Sequence, residues 1–463
     1  MRRAAARTSG LGAGEPAAHA FGRFRDLAEV DESARRLGAD LCAWHRLYLA
    51  AQAPEGVERA LLHLVATGDR GCALRAVHLL ARGLRECGAH APLARARYWL
   101  GALAAPGPGS ERALRRLRQA LAAAVEHGEG ERAARVLGQI GRHLLVLGRT
   151  AEAYSRLEAA LALAGAEERQ DATVLPPVVR AGLWANLGLS LARLGHLERA
   201  GAAYRRAFDL AQAAGREDAA MHARDGLRFV AEQRGHLEEA FLHAQAVLAW
   251  RRRVGPPAMT QRALVTLARI AHDLDPPGDA ALALLDEAAA LPADAGDRAA
   301  RLMCQALVHA DREEDAASRA ALTLAEAELA RMAEPERSTA AFHLAYLHAH
   351  LLWARGEVAG AYEWYRQAAA VLAAEGVRRL DVPAHQRAGL MADMAAAAQG
   401  VGRTEEAARM AVEMERAWRP EPLPDASPAA VVRGELAALP GREEARRAAR
   451  VVILPTPGRR AGR

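Results

Sequence analysis

The sequence contains no lysine and a single asparagine, Asn186, and among its 463 residues isoleucine occurs only three times. Aromatic residues make up 4%. Each shortage excludes something. Without Lys there is no G-x-x-x-x-G-K-[ST] phosphate loop, which excludes a P-loop ATPase on this chain. Few β-branched and aromatic residues leave little material for a large sheet. The four cysteines, Cys42, Cys72, Cys87 and Cys304, form no C-x-x-C pair and no regular spacing, which argues against a disulfide framework and a zinc site and fits a reducing cytoplasm. No apolar stretch follows Arg2 and Arg3, as a signal peptide requires, and no run of about 18 apolar residues exists to cross a membrane.

What is present is Ala, Leu, Arg and Glu, all strong helix formers, so the chain reads as all-α. At 463 residues it exceeds the size at which one hydrophobic core stops growing, so it is several domains or one elongated array. All 62 basic residues are Arg, a bias of the kind a GC-rich coding sequence produces, and 56 acidic residues are mixed among them to leave a net charge of +6. Intrahelical ion pairing absorbs much of that charge, so nucleic-acid binding is permitted and not indicated.

Gly-containing loops recur between helical stretches at intervals of roughly 36 to 47 residues, the range of helix-pair repeats. The best copy reads Trp184-x2-Leu187-Gly188-x2-Leu191-x3-Gly195-x4-Ala200-x3-Tyr204-x2-Ala207. Small Gly188 and Ala200 let two helices approach, larger apolar groups fill the space around the contact, and Gly195 ends the first helix. A second copy runs from Leu137 through Gly141 and Gly148 to Ala160, and a third places Ala345, Leu352, Gly356, Ala361, Tyr365 and Ala368 at the same spacings. Weaker copies are centred on Gly68, Pro108, Gly235, Pro276, Arg312 and Gly402.

This pattern resembles the tetratricopeptide repeat, in the long-repeat form of bacterial transcriptional and signalling regulators and of motor-protein light chains. The resemblance implies a right-handed superhelical solenoid of about nine antiparallel helix pairs, the first helix of each lining a concave inner surface. The expected organisation is a disordered segment at residues 1–24, a solenoid at 25–418 opened by a capping helix from Arg25 to Ala51, and a Pro/Arg-rich tail at 419–463. In that tail Pro420-x-Pro422-x-Pro424 breaks the array and a short helix is expected around Ala429 to Arg450.

No H-E-x-x-H, G-x-S-x-G or strand-linked G-x-G-x-x-G is present, so no catalytic function and no cofactor are expected. Counting from the best copy puts His343, Tyr346, His350 and Trp353 on one stripe of one helix, at inward sites. The stripe is either a ligand surface or half-buried packing. Metal binding by His343, His348 and His350 is not expected, because His348 points off the stripe and no carboxylate sits at ligand spacing. The same count marks Arg95 and Tyr98, Arg135 and Arg142, and His222 and Asp225; if these line one groove, its N-terminal part is positive and suits a carboxylate. Asn186 looks like the inner-helix Asn with which related arrays hold a peptide backbone, although this chain has one and not a ladder. His196 and His236, in the repeated Gly-His-Leu-Glu, read as turn residues of successive repeats.

The reading that follows is a cytoplasmic, non-catalytic scaffold or adaptor that holds a protein or peptide on its concave face. The alternative is the effector-sensing part of a transcriptional or signalling regulator that acts through a partner. Arginine contacts to nucleic acid, by the tail or the surface, rank below both, and self-association through the inner face stays open.

Overall fold

In the computed structural model of the protein, residues 110–167, 175–275, 279–332, 336–373, 384–403 and 420–438 are described, with isolated positions beside them. Among these residues there are fifteen helices and no strand. The capping helix at 25–51, the segment 1–24, Arg95, the repeat copy at Gly68, the turn residues Pro108 and Pro276, and the tail beyond Ala438 lie outside them.

The helices are α1 Ser110–Glu126, α2 Gly130–Val146, α3 Thr150–Glu167, α4 Pro177–Arg193, α5 Leu197–Ala213, α6 Glu217–Gln233, α7 Leu237–Val254, α8 Pro257–Leu274, α9 Asp279–Ala289, α10 Ala295–Asp311, α11 Asp315–Leu329, α12 Glu336–Ala354, α13 Val358–Ala373, α14 Ala384–Gly400 and α15 Pro428–Ala437. Their starts follow local chemistry. Pro177 and Pro257 stand in the first turn, where a missing N–H costs nothing, and Asp294 caps α10 by accepting the Asp297 amide at 2.8 Å.

Seven of the ends share one device. At Gly195 the amide donates to Ala192 O (3.1 Å) and the next amide, His196, donates to Leu191 O (2.8 Å), the paired bonds of a Schellman cap. The same pairing recurs at Gly128, Gly215, Gly235, Gly356 and Gly402, all with φ between +65° and +78°, a region that costs an L side chain about 1–2 kcal/mol. Glu313 takes this conformation without being glycine, at φ +61°, which is why the copy around Arg312 reads weakly although its cap bonds are complete. The carbonyl just after the left-handed residue accepts the first bond of the next helix, as His196 O does from Ala200 N (2.9 Å), so each turn is also a helix start.

Two compact units result. One comprises residues up to Val146, Ala162–Val174 and the C-terminal part from Ala426. Within it α1 packs on α2 and α15 packs on α1, where the Arg118 guanidinium meets the Glu435 carboxylate at 2.7 Å, with 11% and 1% of each side chain exposed.

The other unit comprises Leu147–Leu161 and Leu175–Asp425. Here α4/α5, α6/α7, α8/α9, α10/α11 and α12/α13 are hairpins, each second helix also packs on the following first helix, and α13 packs on α14. First helices also touch one another, α4 on α6, α8 on α10 and α10 on α12, so they form a layer of their own. The steric key is legible at Tyr204. Its buried ring lies between helices on both sides: a Cβ on Gly188 would stand 3.0 Å from it and a Cβ on Gly226 2.2 Å from it. Tyr365 takes the corresponding place in the third copy, buried with Phe342, Ala345, Ala349, Ala361 and Ala368.

Pro420–Asp425 lies within the second unit, where Glu421 N–H donates to Leu194 O at the α4–α5 turn, and the short helix after it spans Pro428–Ala437.

Candidate functional site

First helices of the second unit carry a set of linked polar and aromatic side chains. On α6, Arg228 bridges Asp225 (2.7 Å) and Glu232 (2.8 Å) of its own helix. From α8, Arg269 reaches the same Glu232 oxygen (2.8 Å) and also lies near Asp273 (3.6 Å). Buried His272 meets Asp311 at the end of α10 (2.8 Å). The Arg–carboxylate pairs form an ionic strip across α6 and α8, and the His272–Asp311 hydrogen bond links α8 to α10. Burial works against the Arg269 charge, but Glu232 and Asp273 outweigh it and hold the guanidinium above its ordinary pKa. Burial also pushes the Asp273 carboxyl up, while Arg269 and His272 pull it back.

The strip leads to α12. His343 is partly buried there, and desolvation, with Arg269 as a positive neighbour, lowers its pKa to about 4. Its ring is therefore neutral at physiological pH, able to give or take one hydrogen bond without carrying charge. Tyr346 donates to Asp393 of α14 and stacks on Phe342 at 6.2 Å; burial first, and then the Asp393 hydrogen bond, raise its pKa. His350 and Trp353 continue the stripe and are exposed, Trp353 to 37%. The stripe is therefore of mixed character: Tyr346 is half-buried and bonded to Asp393, whereas His350 and Trp353 are exposed.

The other candidates separate by unit. His222 is exposed and Asp225 half-exposed on α6, beside the ionic strip. Asn186 is half-buried on α4, and its backbone carbonyl accepts the Ser190 hydroxyl at 3.0 Å. Tyr98, Arg135 and Arg142 belong to the first unit. The Arg135 guanidinium pairs with Glu131 (2.6 Å) and Arg142 donates to neutral Gln139 (2.9 Å), both on α2 itself.

His348 stacks on Trp364 of α13 with centroids 4.3 Å apart and meets Glu326 of α11 (3.1 Å), which takes it away from His343 and His350. Among the described residues no three His, Cys, Asp or Glu side chains converge on a metal position, and no helix is long and apolar enough to cross a membrane. Burial pushes the Cys304 thiol up to about 12, so at neutral pH it is neither nucleophile nor thiolate ligand. A shallow depression on α13, lined by Glu363, Trp364, Arg366, Gln367 and Ala370, is open to solvent.

Glu232, Arg269, His272 and Asp311 were not singled out from sequence. The repeat count that nominated Asp225 and His343 also places Glu232, Arg269 and His272 inward, and extending it one repeat at a time finds them.

No protein-family model matches the sequence, and no curated protein matches it. Solved structures similar to this chain include a Rap protein complexed with Competence and Sporulation Factor, at 11% identity and TM-score 0.46 over 83% of this chain and 98% of that one. Aspartyl phosphate phosphatase F from Bacillus subtilis matches at 11% identity and TM-score 0.41, over 87% of this chain and 93% of that one. BtubC (BKLC) from P. vanneervenii matches at 16% identity and TM-score 0.33, over 52% of this chain and 87% of that one.

Proposed function

We propose that the chain is a non-catalytic scaffold or adaptor that holds a protein segment or peptide on the first-helix face of its solenoid, which we place at residues 25–418. The observation that carries this reading is the pairing of exposed Trp353 and His350 with a preformed ionic strip on one layer of helices. A large aromatic group left accessible beside fixed charges is the usual make-up of a binding anchor, since it buries much area at little entropic cost.

The test is a displayed-peptide selection on the immobilised full chain, followed by calorimetry of the selected peptides against wild type and a His350→Ala/Trp353→Ala variant. Both residues are exposed, so the fold is retained. Loss of an aromatic anchor costs about 2 kcal/mol or more, so binding is expected to weaken about thirtyfold. Unchanged affinity would remove this face as the working surface.

A further inference from the structure

The sequence carries Gly-His-Leu-Glu twice, at Gly195–Glu198 and Gly235–Glu238. The two turns are the same object. Their glycines have φ +85° and +74°, their histidines φ/ψ −86°/61° and −85°/68°, and the cap bonds match: His196 N to Leu191 O at 2.8 Å and His236 N to Ala231 O at 2.9 Å.

The first turn holds an extended segment of the chain's own C-terminal region. Glu421 N–H donates to Leu194 O (3.0 Å), and Glu421 O lies 2.9 Å from His196 Nε2. A carbonyl only accepts, so that nitrogen is the donor. Both backbone groups of one residue are thereby used, as in a single rung of a ladder. Pro420 seats its Cα 3.3 Å from the point a Cβ on Gly195 would occupy, so glycine there serves the left-handed turn and the close approach together. The Pro-Glu-Pro sequence suits this pose: Pro422 keeps Glu421 extended, and the prolines bring no amide of their own that would need a partner.

The second turn presents the same three elements, a carbonyl at Arg234, a glycine without side chain and an imidazole at His236, and all three residues are exposed where Leu194, Gly195 and His196 are buried or half-buried. Among the described residues nothing lies within 4 Å of a Cβ built on Gly235. Arg234 stands where the first turn has Leu194, and its guanidinium pairs with the exposed Glu198 carboxylate at 2.7 Å, a solvent-facing pair whose remaining N–H groups can take a second carboxylate, while His236 Nδ1 lies 3.5 Å from Glu239.

We propose that the Arg234–His236 turn docks an extended, proline-flanked segment with an acidic central residue, Pro-(Glu/Asp)-Pro, supplied by a partner protein. Its central N–H donates to the Arg234 carbonyl, its central C=O accepts from His236 Nε2, its leading proline lies over Gly235, and its carboxylate faces Arg234. The chain's own copy of this motif is held intramolecularly one repeat away, which shows the recognition geometry and leaves the second turn for another polypeptide.

The probe is a fluorescein-labelled, capped peptide of sequence Pro-Glu-Pro-Leu-Pro-Asp, titrated by anisotropy into the full chain. Saturable binding of one peptide per chain is expected. His236→Ala removes one of the two bonds and is expected to weaken it about tenfold. Gly235→Val, with its helicity checked by circular dichroism, should abolish binding; a peptide with Pro in place of the central Glu, which lacks the N–H, should not bind; and His196→Ala should keep full affinity at the second turn. Absence of saturation at peptide concentrations on the order of 1 mM, or affinity that His236→Ala and Gly235→Val both leave unchanged, would overturn the proposal.

Discussion

Gly226→Ala is expected to destabilise the second unit by about 2 kcal/mol, against the usual direction for glycine in a helix. Two effects oppose one another. Alanine gains about 1 kcal/mol over glycine at an open helical site, whereas forcing a methyl group into a filled core costs about 1–3 kcal/mol, and more when nothing can yield. Here nothing yields, because the added Cβ falls 2.2 Å from the Tyr204 ring and that ring is blocked on its other side by Gly188, whose Cβ position is 3.0 Å away. The clash therefore wins. The sign should reverse once the ring is gone. Tyr204→Ala alone is expected to cost about 3–5 kcal/mol as a buried aromatic truncation, and Gly226→Ala added to it should then be neutral or stabilising. Urea unfolding of the four proteins followed by circular dichroism reads the coupling; additive effects would mean that Tyr204 does not pack between α4 and α6.

Glu435→Ala is expected to cost about 3 kcal/mol or more in the first unit. The carboxylate is 1% exposed and meets Arg118 at 2.7 Å, so its removal leaves a guanidinium that is 11% exposed without its counterion. Breaking a buried pair from one side costs about 3–5 kcal/mol, several times the value of an exposed pair such as Arg366 with Glu363. Hydrogen exchange should show faster amides along α1 and α15 together, because the pair joins those two helices. A loss below about 1 kcal/mol would mean that α15 contributes little to that unit.

The parts of this fold that sterics alone dictate were legible in the sequence. Gly188, Ala200 and Tyr204 announce a close helix pair because only that set of sizes fills the contact, and the left-handed glycines mark the turns from Gly195 to Gly402. The turn at Glu313 is faint because a non-glycine residue takes the same conformation at a cost the repeat tolerates. Gly226 was not predicted, since it lies two residues before the position that repeats Gly188, which Arg228 holds; the room Tyr204 needs comes from the next repeat, at a register set by packing.

The ionic strip was hidden for a related reason. Glu232 and Arg269 are 37 residues apart, and whether two such side chains meet depends on how their helices cross, which spacing does not report. The α12 stripe was half legible: the i, i+3, i+7, i+10 pattern groups His343, Tyr346, His350 and Trp353 on one face, but that Tyr346 is taken up by Asp393 depends on where α14 packs. The Pro-rich segment after residue 419 signals a broken helix, and nothing in it tells that a turn more than 200 residues earlier receives it.

The central claim, that the first-helix face of the second unit is where a partner sits, is tested most directly by photo-crosslinking. Benzoylphenylalanine is placed at Trp353, and in a second protein at Leu242, a second-helix position that is 65% exposed. After irradiation in living cells the account predicts a discrete adduct from position 353 that a selected peptide competes away, and none from position 242. An adduct that forms from position 242 alone, or equally from both, would contradict it.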